Sequence, residues 1–188
     1  MSAGSAPPHL FELSCHPDTP CGAVSAIAAE LRNAGPGFAR IVFRVSGDIE
    51  RIRLPPRAAQ RDRLWQHTCF EVFFASEGSA AYHEFNFSPA RDWAAYAFAR
   101  YREGGLVEDS SLDPRIDVRF PAGGRMELEA LLRMDRLGAQ LPQSRLAVCA
   151  VIEDERGELS YWALRHPAGK PDFHHPDSFC SVPDEIWH

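Results

Sequence analysis

Apolar and polar residues alternate with period two along much of this chain. In Arg40–Val45, Ile41, Phe43 and Val45 interleave with Arg40, Val42 and Arg44. Arg115–Phe120 and Arg125–Leu132 alternate the same way about Gly123-Gly124, which predicts a hairpin with one wet face. Two other runs, His67–Ala75 and Arg145–Ile152, are nearly continuous apolar sequence. They predict central strands covered on both faces. Tyr82–Phe87 points His83, Phe85 and Phe87 one way and Tyr82, Glu84 and Asn86 the other. Trp93–Tyr101 sets Trp93, Ala95, Ala97 and Ala99 against Ala94, Tyr96, Phe98 and Arg100. Leu159–Arg165 and Phe179–Val182 predict two late strands. His9–Leu13 predicts an edge strand, and Ile49–Leu54 a short strand stopped by Pro55-Pro56. Residues 102–114 read as a long loop and 135–141 as a single helical turn. Residues 23–33 stay open on periodicity, with alanines favouring helix and the following turn favouring a hairpin. The count is roughly nine to eleven short strands with little helix, an all-β sandwich or barrel.

Composition narrows the function classes. A chain of 188 residues suits one domain: residues 1–8 predict a disordered tail and 9–188 a single folded unit. A net charge of −6 argues against a general nucleic-acid partner, because phosphate binding needs a basic surface. No apolar run is long enough to span a bilayer, and the first residues lack a basic stretch leading into an apolar core. The expectation is a cytoplasmic protein with no membrane partner; its oligomeric state is not written in the sequence. Five scattered cysteines without a CxxC pair read as thiols.

Candidate chemistry centres on residues 64–101. Glu71 lies in the middle of an apolar strand, where a carboxylate is costly to bury without a partner. It reads either as a ligand-binding group or as a structural acid tied to His67 or to an arginine. Glu84 and Asn86 share a face on the next run and lie across from Glu71 if the two runs pair. A carboxylate beside an amide suits sugar hydroxyls. Trp65, Trp93 and Trp162, with Tyr82, Tyr96 and Tyr161, offer rings for stacking or for core. The segment from His166 to Pro176 is rigid and polar, and it places Lys170, Asp172 and His174 at the rim of one sheet end. His166, His174 and His175 are poorly spaced for a metal, and no HExxH motif supports one, so neither metal nor cofactor is expected. No GxSxG context marks a nucleophile.

Several of these segments resemble a known group. Leu64-Trp65, Phe70-Glu71-Val72-Phe73-Phe74, Tyr82-His83-Glu84-Phe85-Asn86-Phe87-Ser88-Pro89 and Trp93-Ala94-Ala95-Tyr96 resemble the DOMON-like and family 9 carbohydrate-binding-module-like domains. Ser160-Tyr161-Trp162-Ala163-Leu164 and Gly169–His174 resemble the small stand-alone bacterial DOMON-like proteins. The likeness runs from about residue 20 to 182. It implies a jelly-roll-type β-sandwich of two antiparallel sheets, residues 23–33 as strand, and a ligand held on one sheet. In the wider group that ligand is a sugar or a haem. The chain departs from haem-binding members in offering no Met and His axial pair, since Met126 and Met134 sit on a plain alternating strand and at its end. It departs from secreted carbohydrate modules in lacking an export signal. The expectation is a non-catalytic domain for a small-molecule ligand, a sugar first among candidates. The ligand-binding set is Trp65, His67, Glu71, Tyr82, Glu84, Asn86, Trp93, Trp162, Lys170, Asp172 and His174, with no catalytic residue. The alternatives are a haem- or metal-binding redox module and a glycoside-acting enzyme using Glu71 and Glu84.

Overall fold

The computed structural model describes residues 8–57, 62–136 and 144–182. Twelve strands form among them: β1 (His9–Cys15), β2 (Val24–Asn33), β3 (Phe38–Gly47), β4 (Cys69–Ser76), β5 (Tyr82–Phe87), β6 (Trp93–Arg100), β7 (Glu103–Leu106), β8 (Arg115–Arg119), β9 (Arg125–Arg133), β10 (Ser144–Glu153), β11 (Leu159–Ala163) and β12 (Cys180–Ser181). Every pairing is antiparallel. The described residues contain only 3-10 turns besides. None of their helical segments is long and apolar enough to cross a membrane.

The strands run in the order β7-β6-β5-β4-β10-β11-β1-β2-β3-β9-β8, with β12 on β10. The ribbon folds at β1. His9–Leu13 pair with β2, while Ser14 and Cys15 pair with β11. A five-stranded sheet thus faces a larger one across a shared core, the expected sandwich of jelly-roll type. Period two decides what enters that core. Ile41, Phe43, Met126 and Leu128 come from one sheet, and Phe70, Val72, Phe85 and Leu146 from the other. Phe43 and Phe70 meet across the gap with ring centroids 5.0 Å apart. The β8–β9 hairpin keeps its predicted wet face, with Met126, Leu128, Ala130 and Leu132 buried.

His9–Leu13 is an edge strand as expected, paired with β2 alone before Ser14 and Cys15 cross to β11. The structure corrects three other sequence expectations. Ile49–Leu54 forms a 3-10 turn over Ile49–Arg51 and a single bridge from Ile52 to Asp154. Ile49, Ile52 and Leu54 do not keep period two, and the two prolines supply no amide donors beyond them. The segment meets β10 at its end, where the Arg53 amide donates to the Glu153 carbonyl (2.8 Å). Residues 102–114 contain β7 and a 3-10 turn rather than a continuous loop. The helical turn expected over 135–141 is a 3-10 turn at Met134–Arg136, and residues 137–143 lie outside the described set. The tail expected over residues 1–8 lies outside it too, save Pro8. Within residues 23–33, Val24–Asn33 is strand.

Candidate functional site

The larger sheet is covered on its outer face as well, which is why β4 is buried from Cys69 to Ala75. One cover is the segment from His166 to Phe179. Phe173 and Phe179 pack with Phe73, Tyr82, Cys149 and Val151 into a second, smaller apolar cluster. Two histidines pin this segment. The Asp18 amide donates to His16 Nδ1 (3.2 Å), so His16 Nε2–H donates to the Gly169 carbonyl (3.0 Å). His166 Nε2–H donates to the Ser14 carbonyl (2.8 Å). The other cover is the 3-10 turn Leu64–Gln66, held by Tyr96. The Arg63 amide donates to Tyr96 Oη (3.2 Å), and Tyr96 O–H donates to Asp62 (2.8 Å).

Between the covers a cleft of about 700 Å³ reaches the sheet. Glu71 and Glu84 form its floor. Trp65, Tyr96, Phe98, Tyr161 and Phe173 contribute rings to its walls, and Arg102 and Lys170 supply its cations. The register is what brings the floor together. Glu71 on β4 lies directly across from Asn86 on β5, with Glu84 one step along the same face. Asn86 Nδ2 donates to Glu84 Oε1 (2.8 Å), and the amide oxygen of Asn86 has no partner.

Glu71 is 3% exposed, and none of the described residues donates to its carboxyl. The structural partners expected for it are elsewhere. His67 donates to Glu153 (2.6 Å) at the sheet end, outside the cleft, and Arg102 acts on Glu71 only through space. Burial pushes the Glu71 acid well above the ordinary carboxylate range. Glu84 beside it pushes the same way, and Arg102 opposes both. Burial likewise raises Glu84 to about 7, against the Asn86 hydrogen bond and the Arg102 charge. The two acids therefore hold a proton at pH values where exposed carboxyls have lost theirs.

His174 overhangs Glu84, Nε2 to Oε2 at 3.7 Å. Phe73, Tyr82 and Phe98 surround its ring, with centroids 5.3, 5.9 and 5.2 Å away. Burial in that box and the nearby Arg102 lower it to about 4, so it is neutral near pH 7. Tyr82 Oη accepts the Arg102 amide N–H (3.0 Å) and donates its own hydrogen to His174 Nδ1 (2.9 Å). On that assignment the Nε2–H is directed at Glu84. Arg102 sits in a two-residue turn with φ of 54°. Its guanidinium donates to Asp172 (2.8 Å), to which Tyr101 O–H also donates (2.6 Å).

The expected set therefore divides. Glu71, Glu84, Trp65, Lys170 and His174 line the cleft, and Asn86 and Tyr82 lie directly behind it. Asp172 is absent from the lining and holds Arg102, which lines the cleft. His67 is absent from the lining. Trp93 and Trp162 stand on the opposite face of the sheet. Trp162 Nε1–H donates to Ser160 (3.1 Å) within the core, and Trp93 borders a separate hollow of about 270 Å³ beside Leu106 and Val107. Their period-two partners are core residues, so neither ring can reach a ligand on the floor. Arg102, Phe98 and Phe173 were not foreseen. The signal for Arg102 was Tyr101-Arg102 ahead of Glu-Gly-Gly, a tight turn that folds a cation back over the preceding strand.

No protein-family model matches the sequence, and no curated protein is similar to it. Solved structures share the fold. A protein from Bacteroides uniformis ATCC 8492, proposed to bind carbohydrate, superposes with a TM-score of 0.69 at 14% identity, covering 92% of this chain and 84% of that one. A family 9 carbohydrate-binding module from Caldicellulosiruptor kristjanssonii, in complex with glucose, gives 0.49 at 11% identity over 91% and 83%. The likeness to the Bacteroides protein is one of architecture, an all-β sandwich with the same course of the chain.

Proposed function

We propose that this protein is a non-catalytic binding domain for a small polyhydroxylated ligand of the carbohydrate class, seated in the cleft over Glu71, Glu84 and Asn86. The observation that carries this is Glu71. A carboxyl buried to this degree, given no hydrogen-bond partner by the described residues and opening onto a cleft, is a group waiting for a donor. Hydroxyls supply donors, and a raised acid can also donate to them. Trp65, 46% exposed at the rim, offers an indole face to the apolar C–H side of a sugar ring. A cleft of this volume is in the range of small-molecule sites. The Bacteroides protein of the same fold is itself proposed to bind carbohydrate, which agrees with the reading without carrying it.

Glu71 and Glu84 project from one face of one sheet, on adjacent strands, and meet a ligand from the same side.

The test is a thermal-shift screen over neutral, acidic and amino saccharides. A ligand at a hundred times its Kd adds about 2.7 kcal/mol to the folded state, which for a chain of this size is a Tm rise of about 5–10 °C. Trp65→Ala should remove the rise while leaving the unliganded Tm in place. No shift with any member of the panel overturns the reading.

A further inference from the structure

We infer that the cleft selects a ligand bearing a primary ammonium group, an amino sugar within the reading above, with the ammonium held by Glu71 and Glu84. The inference rests on that reading for the sugar and on the floor of the cleft for the charge.

Charge balance is the first ground. Two carboxyls stand side by side on the floor, both 3% exposed. From β4 and β10, Cys69 and Cys149 face Glu71, and both are thiols kept neutral by burial. From β5 come Glu84 and the amide of Asn86, and from β6 the neutral phenol of Tyr96. The covering segment brings His174, uncharged in its aromatic box, and Lys170 at the rim; Asp62 stands at the opposite wall. The turn brings Arg102, whose guanidinium is already engaged by Asp172 and Tyr101. Among the described residues, no charged side chain forms an ion pair with Glu71 or Glu84.

The unpaired Glu71 is the second and independent ground. Among the described residues nothing donates to its carboxyl, and nothing donates to the buried amide oxygen of Asn86 beside it. The floor is thus rich in acceptors and poor in donors. A hydroxyl brings one hydrogen, whereas an ammonium brings three and a positive charge.

The walls are the third. Trp65, Tyr96, Phe98, Tyr161 and Phe173 present rings around the space above the acids. Aromatic faces attract organic cations. They offer nothing to a hard divalent ion, which takes a shell of oxygens, and the described residues contain no cluster of three or more metal-ligating side chains.

Binding makes no covalent bond. An ammonium that is already charged in solution displaces the proton held by the Glu71–Glu84 pair, and that proton leaves to buffer. Two readouts follow, both at pH 6.5 in phosphate and in MOPS, which contain no primary amine. Calorimetry should show D-glucosamine binding at least tenfold more tightly than D-glucose or N-acetyl-D-glucosamine. The heat should differ between the buffers by the release of up to one proton per ligand. Glu71→Gln should abolish both the preference and the proton release, and the wild-type measurement stands alone if that variant fails to fold. Equal affinity for glucosamine and glucose overturns the ammonium seat and leaves the carbohydrate reading standing. Binding of cyclohexylamine, with no saccharide bound at all, upholds the seat and overturns the carbohydrate reading. No binding by either class overturns both. Stabilisation by calcium chloride alone, without amine, also overturns the seat.

Discussion

At the scale of single residues, the floor acids and His174 make opposed claims on pH. Glu84 titrates near 7 in the fold and near 4.5 when exposed, so between these values the native state holds a proton that the unfolded chain has released. Its contribution to stability therefore falls as pH rises from 4.5 to 7. His174 runs the other way. It titrates near 4 in the fold and near 6.5 when exposed, so its contribution is present above 6.5 and is lost as pH falls to 4. Each slope is at most about 1.4 kcal/mol per pH unit. Measured against wild type by denaturant unfolding, Glu84→Gln should gain relative stability as pH rises through its window. His174→Gln should gain relative stability as pH falls through its own. Parallel curves for the two variants would contradict the assignment. Glu71→Gln belongs with Glu84→Gln. The neutral amide stands in for the protonated acid, so its Tm at pH 8 should equal or exceed that of wild type. Loss of several kcal/mol there would mean that Glu71 is a paired carboxylate after all. The convergence of Glu71, Glu84 and Asn86 was legible in the sequence, because period two assigns a face and the short Glu77-Gly78-Ser79 turn joins the two runs.

At the scale of elements, β7 shows where that legibility ends. Its sequence, Glu103-Gly104-Gly105-Leu106, carries no alternation, since glycine has no side chain to alternate. Yet Gly104 is what lets the strand close against β6. A Cβ at that position would lie 2.0 Å from the Ala97 carbonyl oxygen and 2.6 Å from the Phe98 Cα, which is backbone and cannot turn aside. Gly104→Ala should destabilise by about 1–3 kcal/mol. It should also loosen Arg102, and with it the Arg102–Asp172 ion pair. Hydrogen exchange would show this as lost protection confined to β6, β7 and the His166–Phe179 segment. Uniform loss across both sheets would argue against so local a role. The Arg102–Asp172 contact joins residues 70 positions apart, and no periodicity forecasts a pairing between two irregular stretches. Ile49–Leu54 failed in the opposite sense: its isoleucines and leucine ahead of two prolines look like a strand, but the segment meets β10 only at its end.

At the scale of the whole molecule, the larger sheet and the turn that covers it divide the tryptophans between two duties. Trp162 is 5% exposed in the core, so Trp162→Ala should cost about 3–5 kcal/mol by chemical denaturation and leave ligand affinity unchanged where the fold persists. Trp65 is largely exposed, so Trp65→Ala should leave stability within about 0.5 kcal/mol and remove binding. Both indoles are visible in the sequence, but only the fold decides that Trp162 meets core on β11 while Trp65 sits on a covering turn. The all-β class itself was readable, because alternating runs separated by Gly and Pro turns leave a sandwich or a barrel, and the family resemblance implied the sandwich. The direct test of the central claim, that an unpaired acid at the cleft floor awaits a ligand, is a pH titration of the glutamate side-chain carboxyls by carbon-13 NMR, with and without saccharide. The account predicts a Glu71 resonance that titrates well above the usual carboxylate range and moves when ligand is added. A Glu71 resonance that titrates in the usual range and ignores every saccharide would contradict it.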